Sequence, residues 1–208
     1  MNVLITAGPT REYLDPVRYL SNASSGRIGA ALAAAAVAAG HRVTLVLGPV
    51  ETAPPTVDEL VRVTSAQEMF DAVAERFEAC DVFVAAAAVA DFRPAEPASE
   101  KIKKGEGPVT LRLEPAPDIV AAMARRRRPG QVLVGFCLES EDLEARARAK
   151  LATKGLDLIV ANPPAAINAD RQDALLITAD GACERLATVS KQDLANRILA
   201  AVAELVSE

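Results

Sequence analysis

The sequence predicts an α/β protein: a three-layer, Rossmann-like, doubly wound and mostly parallel sheet with an antiparallel hairpin near the C-terminus. Three observations predict it. Short apolar runs such as Val3-Leu-Ile-Thr6 and Arg42-Val-Thr-Leu-Val-Leu47 alternate with longer runs of helical period, and strands that alternate with helices build right-handed crossovers and parallel sheets. Several strand runs are apolar at nearly every position, as strands covered on both faces must be. The chain closes on two strand-like segments around Asp180-Gly181, a two-residue hairpin signal.

The elements follow in order. Val3–Thr6 is a buried strand broken by Ala7-Gly8-Pro9. Ala7 to Asn22 reads as a long loop, and long loops in compact domains are usually functional. A helix runs from about Ser25 to Ala39 and stops at Gly40, a left-handed cap. Arg42–Leu47 and Leu60–Thr64 are strands joined by a Pro-rich link. A helix from Ala66 to about Glu78 has Ser65 as N-cap and Glu68 placed to complete a capping box. Asp81–Ala90 begins as a buried strand and runs out into alanines. Small residues there let a ligand approach the backbone at the sheet end where α/β proteins bind. Residues 93–107 are polar, rich in Pro and Lys and without apolar period, and read as a mobile flap. Val109–Leu113 alternates like a strand, and Pro117-Asp118 opens a helix that reaches Arg125–Arg128. Gln131–Phe136 is a strand, Glu141–Thr153 a charged amphipathic helix and Leu156–Ala161 a strand, followed by a loop through Asp170. Ala174–Thr178 and Cys183–Val189 form the hairpin, and Ser190 caps a last helix to about Val206. No repeat, low-complexity tract or boundary divides the chain, so residues 1–208 read as one domain.

Half the residues are apolar and a quarter charged, ordinary for a soluble globular protein large enough to bury a full core. Tryptophan is absent, so the core rests on Ala, Val, Leu and Ile. A net charge of −5 argues against nucleic acid as a partner held by bulk electrostatics. Cys80, Cys137 and Cys183 are far apart, which is neither a disulfide framework nor a zinc pattern and suits a reducing cytosol. No signal peptide is visible, and the alanine-rich run Ala30–Ala39 is too short and weakly apolar to span a bilayer. The expectation is a cytoplasmic protein with no membrane partner.

The chemistry concentrates in Asp15–Gly29, where Arg18, Arg27, Asn22, Ser24 and Ser25 crowd together. A helix start offers free N–H groups and the positive end of its dipole to an anion, and Ser24, Ser25 and Gly26 are assigned to phosphate binding. Taken alone, these residues fit an ordinary N-capped helix start equally well. No G-x-G-x-x-G or P-loop is present, which removes the main support for oxidoreductase and P-loop kinase readings. Lys101-Ile-Lys-Lys104 is by itself a solvated cluster. Its place after a ligand-suited strand end favours a lysine that closes on a polyphosphate as pyrophosphate leaves. Asp91 fits a carboxylate that accepts from a ribose or pairs with a lysine, or a plain turn residue. Lys150 and Lys154 share a helix face, and alone they slightly favour the C-terminal dipole over a nucleotide. Arg125–Arg128 reads as a solvated cap, and His41 and Cys137 as structural. No metal-ligand spacing appears, so Mg²⁺ would arrive with a nucleotide's phosphates.

One resemblance gathers these stretches. Ile5–Gly8, Thr10–Glu12, Asp15–Asn22, Ser24–Gly26, Ala86–Asp91, Lys101–Lys104, Pro117–Ile119, Val134–Phe136, Lys150-Leu151 and Lys154–Asn162 together resemble the phosphopantothenate–cysteine ligase (phosphopantothenoylcysteine synthetase) family of coenzyme A biosynthesis. The match is to the synthetase half of the bifunctional bacterial protein, read as a separate chain. The resemblance implies a two-step ligation: the carboxylate of 4′-phosphopantothenate attacks CTP to give an acyl-cytidylate and pyrophosphate, and the amine of L-cysteine then displaces CMP. It implies that Asn22 holds the acyl intermediate for cysteine, that Arg18 belongs to the same site, and that Lys101 serves the activation step. Ala85, Ala86, Ala87 and Asp91 would receive the nucleotide, Pro117, Asp118, Ile119, Val120 and Phe136 its base and sugar, and Lys150 and Lys154 would reach it too. It also implies a homodimer with the site near the subunit interface, no flavin, and room for a separate phosphopantothenoylcysteine decarboxylase as partner. Against the family pattern, Pro9 replaces a glycine, Ala23 a histidine and Arg27 a lysine, Cys137–Ser140 differs, and residues 162–172 are shortened. An ATP-using ligase of the same fold and a non-catalytic nucleotide-binding partner of a decarboxylase are the alternatives.

Overall fold

Apolar β-branched runs buried on both faces make a central sheet. The structure, a computed structural model, describes residues 1–207. In chain order the elements are β1 (Asn2–Ala7), β2 (Arg11–Tyr13), β3 (Tyr19–Ser21), α1 (Arg27–Ala38), β4 (Arg42–Leu47), β5 (Glu59–Arg62), α2 (Ala66–Arg76), β6 (Val82–Ala85) and β7 (Phe92–Pro94). There follow β8 (Leu113–Pro115), α3 (Ile119–Arg126), β9 (Val132–Leu138), α4 (Leu143–Lys154), β10 (Leu158–Asn162), β11 (Arg171–Thr178), β12 (Cys183–Ser190) and α5 (Lys191–Ser207).

The sheet runs β12-β11-β10-β9-β6-β1-β4-β5. Strands β10 to β5 in that order are parallel, and β11 and β12 add antiparallel to β10. This is the doubly wound sheet the sequence predicts, with the hairpin at its C-terminal edge. The chain moves outward from β1 through β4 to β5, then returns to the other side of β1 as β6. Strand order therefore reverses between β1 and β6, which opens a crevice at their C-terminal ends.

Helices α1 and α5 cover one face, burying Leu32, Ala33 and Ala36 with Leu194, Ile198 and Val202. Helices α2, α3 and α4 cover the other with Met69, Val73, Met123 and Leu151, where Phe77 meets Phe83 edge to face at 5.9 Å. Small residues let α1 lie close to the sheet. A Cβ added at Gly29 would stand 2.4 Å from the Ala7 Cβ, so the first turn of α1 is seated on the end of β1. Among the described residues no helix is long and apolar enough to cross a membrane.

Four local readings change. The loop from Ala7 to Asn22 contains the β2–β3 hairpin. Helix α1 begins at Arg27 rather than Ser25, because Gly26 turns into the left-handed region at φ +73°. Val109–Leu113 is not a strand; its apolar residues face outward, and the pairing falls instead between β7 and β8. The capping box is split: Ser65 Oγ accepts from the Glu68 N–H at 3.2 Å, but Glu68 accepts from Thr64, while the buried Glu12 carboxylate takes the Ala66 N–H at 2.8 Å. A carboxylate at that helix start also meets the positive end of the α2 dipole.

Gly29→Ala must push α1 off β1, and overpacking of this kind costs about 1–3 kcal/mol. Urea unfolding should show that loss, whereas Gly105→Ala, with nothing within 4 Å, should leave the midpoint unchanged.

Candidate active site

The alanines after β6 form the floor of the crevice. The Ala88 N–H donates to the Gly8 carbonyl at 2.9 Å, and the Ala88 carbonyl accepts from Thr10 N–H at 3.3 Å. Two buried threonines complete the seam: Thr6 Oγ1 accepts from Ala87 N–H at 3.3 Å and Thr10 Oγ1 from Ala90 N–H at 3.0 Å. The run is thus stitched to the segment that follows β1, through a single bridge between Ala88 and Pro9, with side chains too small to shield its backbone. Asn22 is fastened to it, its Nδ2 donating to the Ala88 and Val89 carbonyls at 3.1 and 3.0 Å. Those two bonds use the amide nitrogen and leave Oδ1 to accept from a ligand.

A cleft of about 850 Å³ opens over this floor. Ser24, Ser25 and Gly26 line it at the start of α1, and Asp91 at the end of the alanine run. The opposite wall is Pro117, Asp118, Ile119 and Val120 with Phe136. Asp118 caps α3 by accepting from Ala121 N–H at 3.0 Å and pairs through its other oxygen with Lys154. Burial works to raise the Asp118 carboxyl, but the Lys154 ammonium and the Ala121 N–H hold it below its ordinary value. Lys150 donates to the Phe136 carbonyl at 2.9 Å. So Asn22, Ser24, Ser25, Gly26, Ala85, Ala86, Ala87, Asp91, the residues 117–120, Phe136, Lys150 and Lys154 share one cleft, although they come from five stretches of sequence.

Arg18 and Lys101 lie outside that lining. The carboxylate of Asp15, 1% exposed, pairs with the Arg18 guanidinium, whose Nε donates to Oδ2 at 2.9 Å. Asp15 also accepts from the Ile102 N–H at 3.1 Å, while Arg18 donates from Nη2 to the Ile102 carbonyl at 2.7 Å. The pair therefore grips both backbone groups of the residue that follows Lys101, and Arg18 is a clasp on the flap in this conformation. The Arg18 guanidinium, opposed by burial and helped by the Val17, Arg18 and Ile102 N–H groups, holds the Asp15 carboxyl well below the usual carboxylate range.

Sequence reading missed Asn162, Gln172 and Lys191, which also line the cleft. Asn162 and Gln172 are 5% and 7% exposed, and Asn162 Nδ2 donates to the Asp173 carbonyl at 2.9 Å. A polar residue ending the apolar run Leu158–Ala161 was the available signal. The arginine run is more than a solvated cap: Arg127 pairs with Asp157 at 3.0 Å and Arg128 with Asp81 at 3.2 Å. These arginines border a second depression of about 750 Å³ that opens beside the start of β9, away from the strand ends where α/β sheets bind ligands. Among the described residues no group of three or more His, Cys, Asp or Glu is placed to hold a metal.

Residues 1–206 match the family described as DNA/pantothenate metabolism flavoprotein C-terminal domain. The chain is 50% identical over 161 residues to a cysteine/cysteine sulfinic acid decarboxylase of an unknown prokaryotic organism, covering 77% of this chain and 45% of that protein. It is 43% identical over 209 residues to the coenzyme A biosynthesis bifunctional protein CoaBC of Bacillus subtilis, covering 98% and 51% respectively. The chain spans about half the length of the curated relatives it matches. Among solved structures, the C-terminal domain of CoaBC superposes with a TM-score of 0.86 at 35% identity, over 99% of this chain and 95% of that one. A Cab2 mutant in complex with phosphopantothenate-cysteine shares the fold, with a TM-score of 0.81 at 18% identity over 99% and 87%.

Asp15→Asn should free the flap, seen as faster amide exchange at Ile102 without change in the sheet. Because the native carboxyl is lowered, its contribution is complete above the ordinary carboxylate pKa and fades only as pH falls through the lowered value. In the unsubstituted chain, Ile102 protection should therefore persist to about pH 4, where an ordinary carboxylate is already half protonated.

Proposed function

This chain belongs to the DNA/pantothenate metabolism flavoprotein C-terminal domain family, with the C-terminal domain of CoaBC, and from that premise we propose that it ligates 4′-phosphopantothenate to L-cysteine through an acyl-cytidylate made from CTP. The observation that carries the reading is the Asn22 carboxamide fastened to the bare alanine floor, between the phosphate-suited start of α1 and the Lys150–Lys154 wall.

In the first step a substrate carboxylate oxygen attacks the α-phosphorus, the bond to the bridging oxygen breaks, and its electron pair leaves with pyrophosphate. In the second the cysteine amine attacks the acyl carbon, the carbon–oxygen bond to CMP breaks, and the nitrogen loses a proton to solvent. Neither step needs a side-chain nucleophile, so the protein's work is to position reactants and meet charge. The 117–120 wall and Phe136 suit a base and sugar, and the small floor admits the acyl group beside Asn22. Mg²⁺, on this reading, comes with the nucleotide phosphates. We assign no flavin to this chain, and the decarboxylase activity of one relative is left with that longer protein. The cytoplasm is the compartment we assign.

A homodimer completes the proposal. Tyr13, Val17 and Tyr19 on the β2–β3 hairpin, with Phe92, Val109, Leu111 and Leu113 around β7 and β8, are large apolar side chains left exposed. Exposed apolar patches of this kind mark association surfaces. The Arg18 clasp and Lys101 flap belong to the same two segments, which accounts for their standing off the cleft of their own chain. Sedimentation equilibrium showing a monomer at micromolar concentration would remove this part.

Asn22→Asp sets a carboxylate against the Ala88 and Val89 carbonyls and loses both bonds. Incubated with 4′-phosphopantothenate, CTP, Mg²⁺ and cysteine, that variant should accumulate acyl-cytidylate, whereas Lys101→Gln should form none. Normal turnover by Lys101→Gln would take the flap out of the mechanism. Comparing pyrophosphate release from CTP and ATP decides between the two nucleotides, and nucleotide binding with no release from either would leave a non-catalytic partner.

A further inference from the structure

Two cations in the cleft, Lys191 and Arg27, are still without a task. Lys191, the first residue of α5, lines the cleft and is half-buried. Its ammonium donates to Gln172 Oε1 at 2.7 Å and to the Ala166 carbonyl at 3.4 Å, both uncharged acceptors. Burial and then the nearby Arg27 guanidinium push its pKa below the usual lysine range, with Asp170 working the other way. Arg27, in the first turn of α1, pairs with Asp170 at 2.5 Å and donates to the Asn168 carbonyl at 3.2 Å. The Asn168 side chain is tied back to the Ala23 carbonyl at 3.1 Å. Two helix starts thus bring two cations near each other in the cleft, and the carboxylate paired with Arg27, Asp170, has its side chain 85% exposed. Cations drawn partly out of water and facing each other are stabilised by an anion that can meet both.

Resting on the nucleotide reading above, we propose that Lys191 and Arg27 seat the terminal phosphates of the nucleoside triphosphate and hold the pyrophosphate as it leaves. When the bond from the α-phosphorus to the bridging oxygen breaks, its electron pair becomes charge on pyrophosphate, and two fixed cations at that end stabilise it. Asp170 is the internal anion that the phosphates replace at Arg27. The assignment also gives the short 163–170 loop a function, since it delivers Asp170 and Asn168 to Arg27 and the Ala166 carbonyl to Lys191.

Titration calorimetry of the full chain with Mg²⁺ and, in turn, CTP, ATP, CMP, pyrophosphate and 4′-phosphopantothenate tests this. Lys191→Gln should weaken CTP and pyrophosphate about 10-fold or more, in line with loss of a charge-assisted contact, and leave CMP and 4′-phosphopantothenate unchanged. Lys191→Arg should restore most of the loss, and Asp170→Asn should tighten CTP several-fold. Equal weakening of CMP and CTP would mean a merely structural lysine and overturn the proposal. Selective loss of 4′-phosphopantothenate would overturn it by reassigning the pair to the substrate's own phosphate. Unchanged CTP binding by Lys191→Gln would sink this inference while leaving the ligase reading intact. A native chain that binds neither CTP nor ATP would overturn both.

Discussion

The contact on which the site depends is the seat of α1 on the end of β1. Gly29 meets Ala7 with no room for a Cβ, and Gly26, at φ +73°, has the Gly8 backbone within 3.1 Å of where its own Cβ would stand. Glycine is required at Gly26 twice over, for its left-handed backbone and for this approach. Because helix start and strand end touch, the Ser24–Arg27 turn is delivered to the same crevice as the alanine run after β6. The crevice itself follows from topology, since β1 is the strand at which the chain changes direction. A wider separation of helix and sheet would carry the turn away from the floor and from Asn22.

Charge is sorted around that frame. The chain is acidic overall, yet its cleft gathers Arg27, Lys150, Lys154 and Lys191. Arg27 and Lys154 are paired there with Asp170 and Asp118, while Lys150 and Lys191 donate to uncharged acceptors. Exposed pairs elsewhere, such as Arg127 with Asp157 and Arg197 with Glu184 at 2.7 Å, add little stability. The Asp15–Arg18 pair differs because its carboxylate is buried and four backbone or side-chain groups converge on it. It converts a short hairpin into an anchor for a segment far away in sequence.

Much of this is legible in the sequence alone. Periodicity and Gly/Pro punctuation carry the strand order's ingredients, because strands buried on both faces must be apolar throughout. The alanine run announced itself by residue size alone. What stayed hidden depends on long-range partners. Nothing in Arg18's neighbourhood says that it will grip Ile102, and Glu12 looks like a surface residue until α2 presents the Ala66 N–H to it. The alternation Val109–Leu113 reads as a half-buried strand, yet its apolar side chains are left facing out. Lys191 reads as the plain start of an amphipathic helix; only the fold brings it beside Arg27.

On the proposed route the substrate carboxylate becomes joined to the nucleotide's α-phosphorus within this cleft. Turnover of 4′-phosphopantothenate carrying heavy oxygen in its carboxylate, with CTP, Mg²⁺ and cysteine, follows that bond atom by atom. Mass spectrometry should find one heavy oxygen in the phosphate of the released CMP and none in pyrophosphate. Label appearing in inorganic phosphate or pyrophosphate, or amide formed with unlabelled CMP, would contradict it.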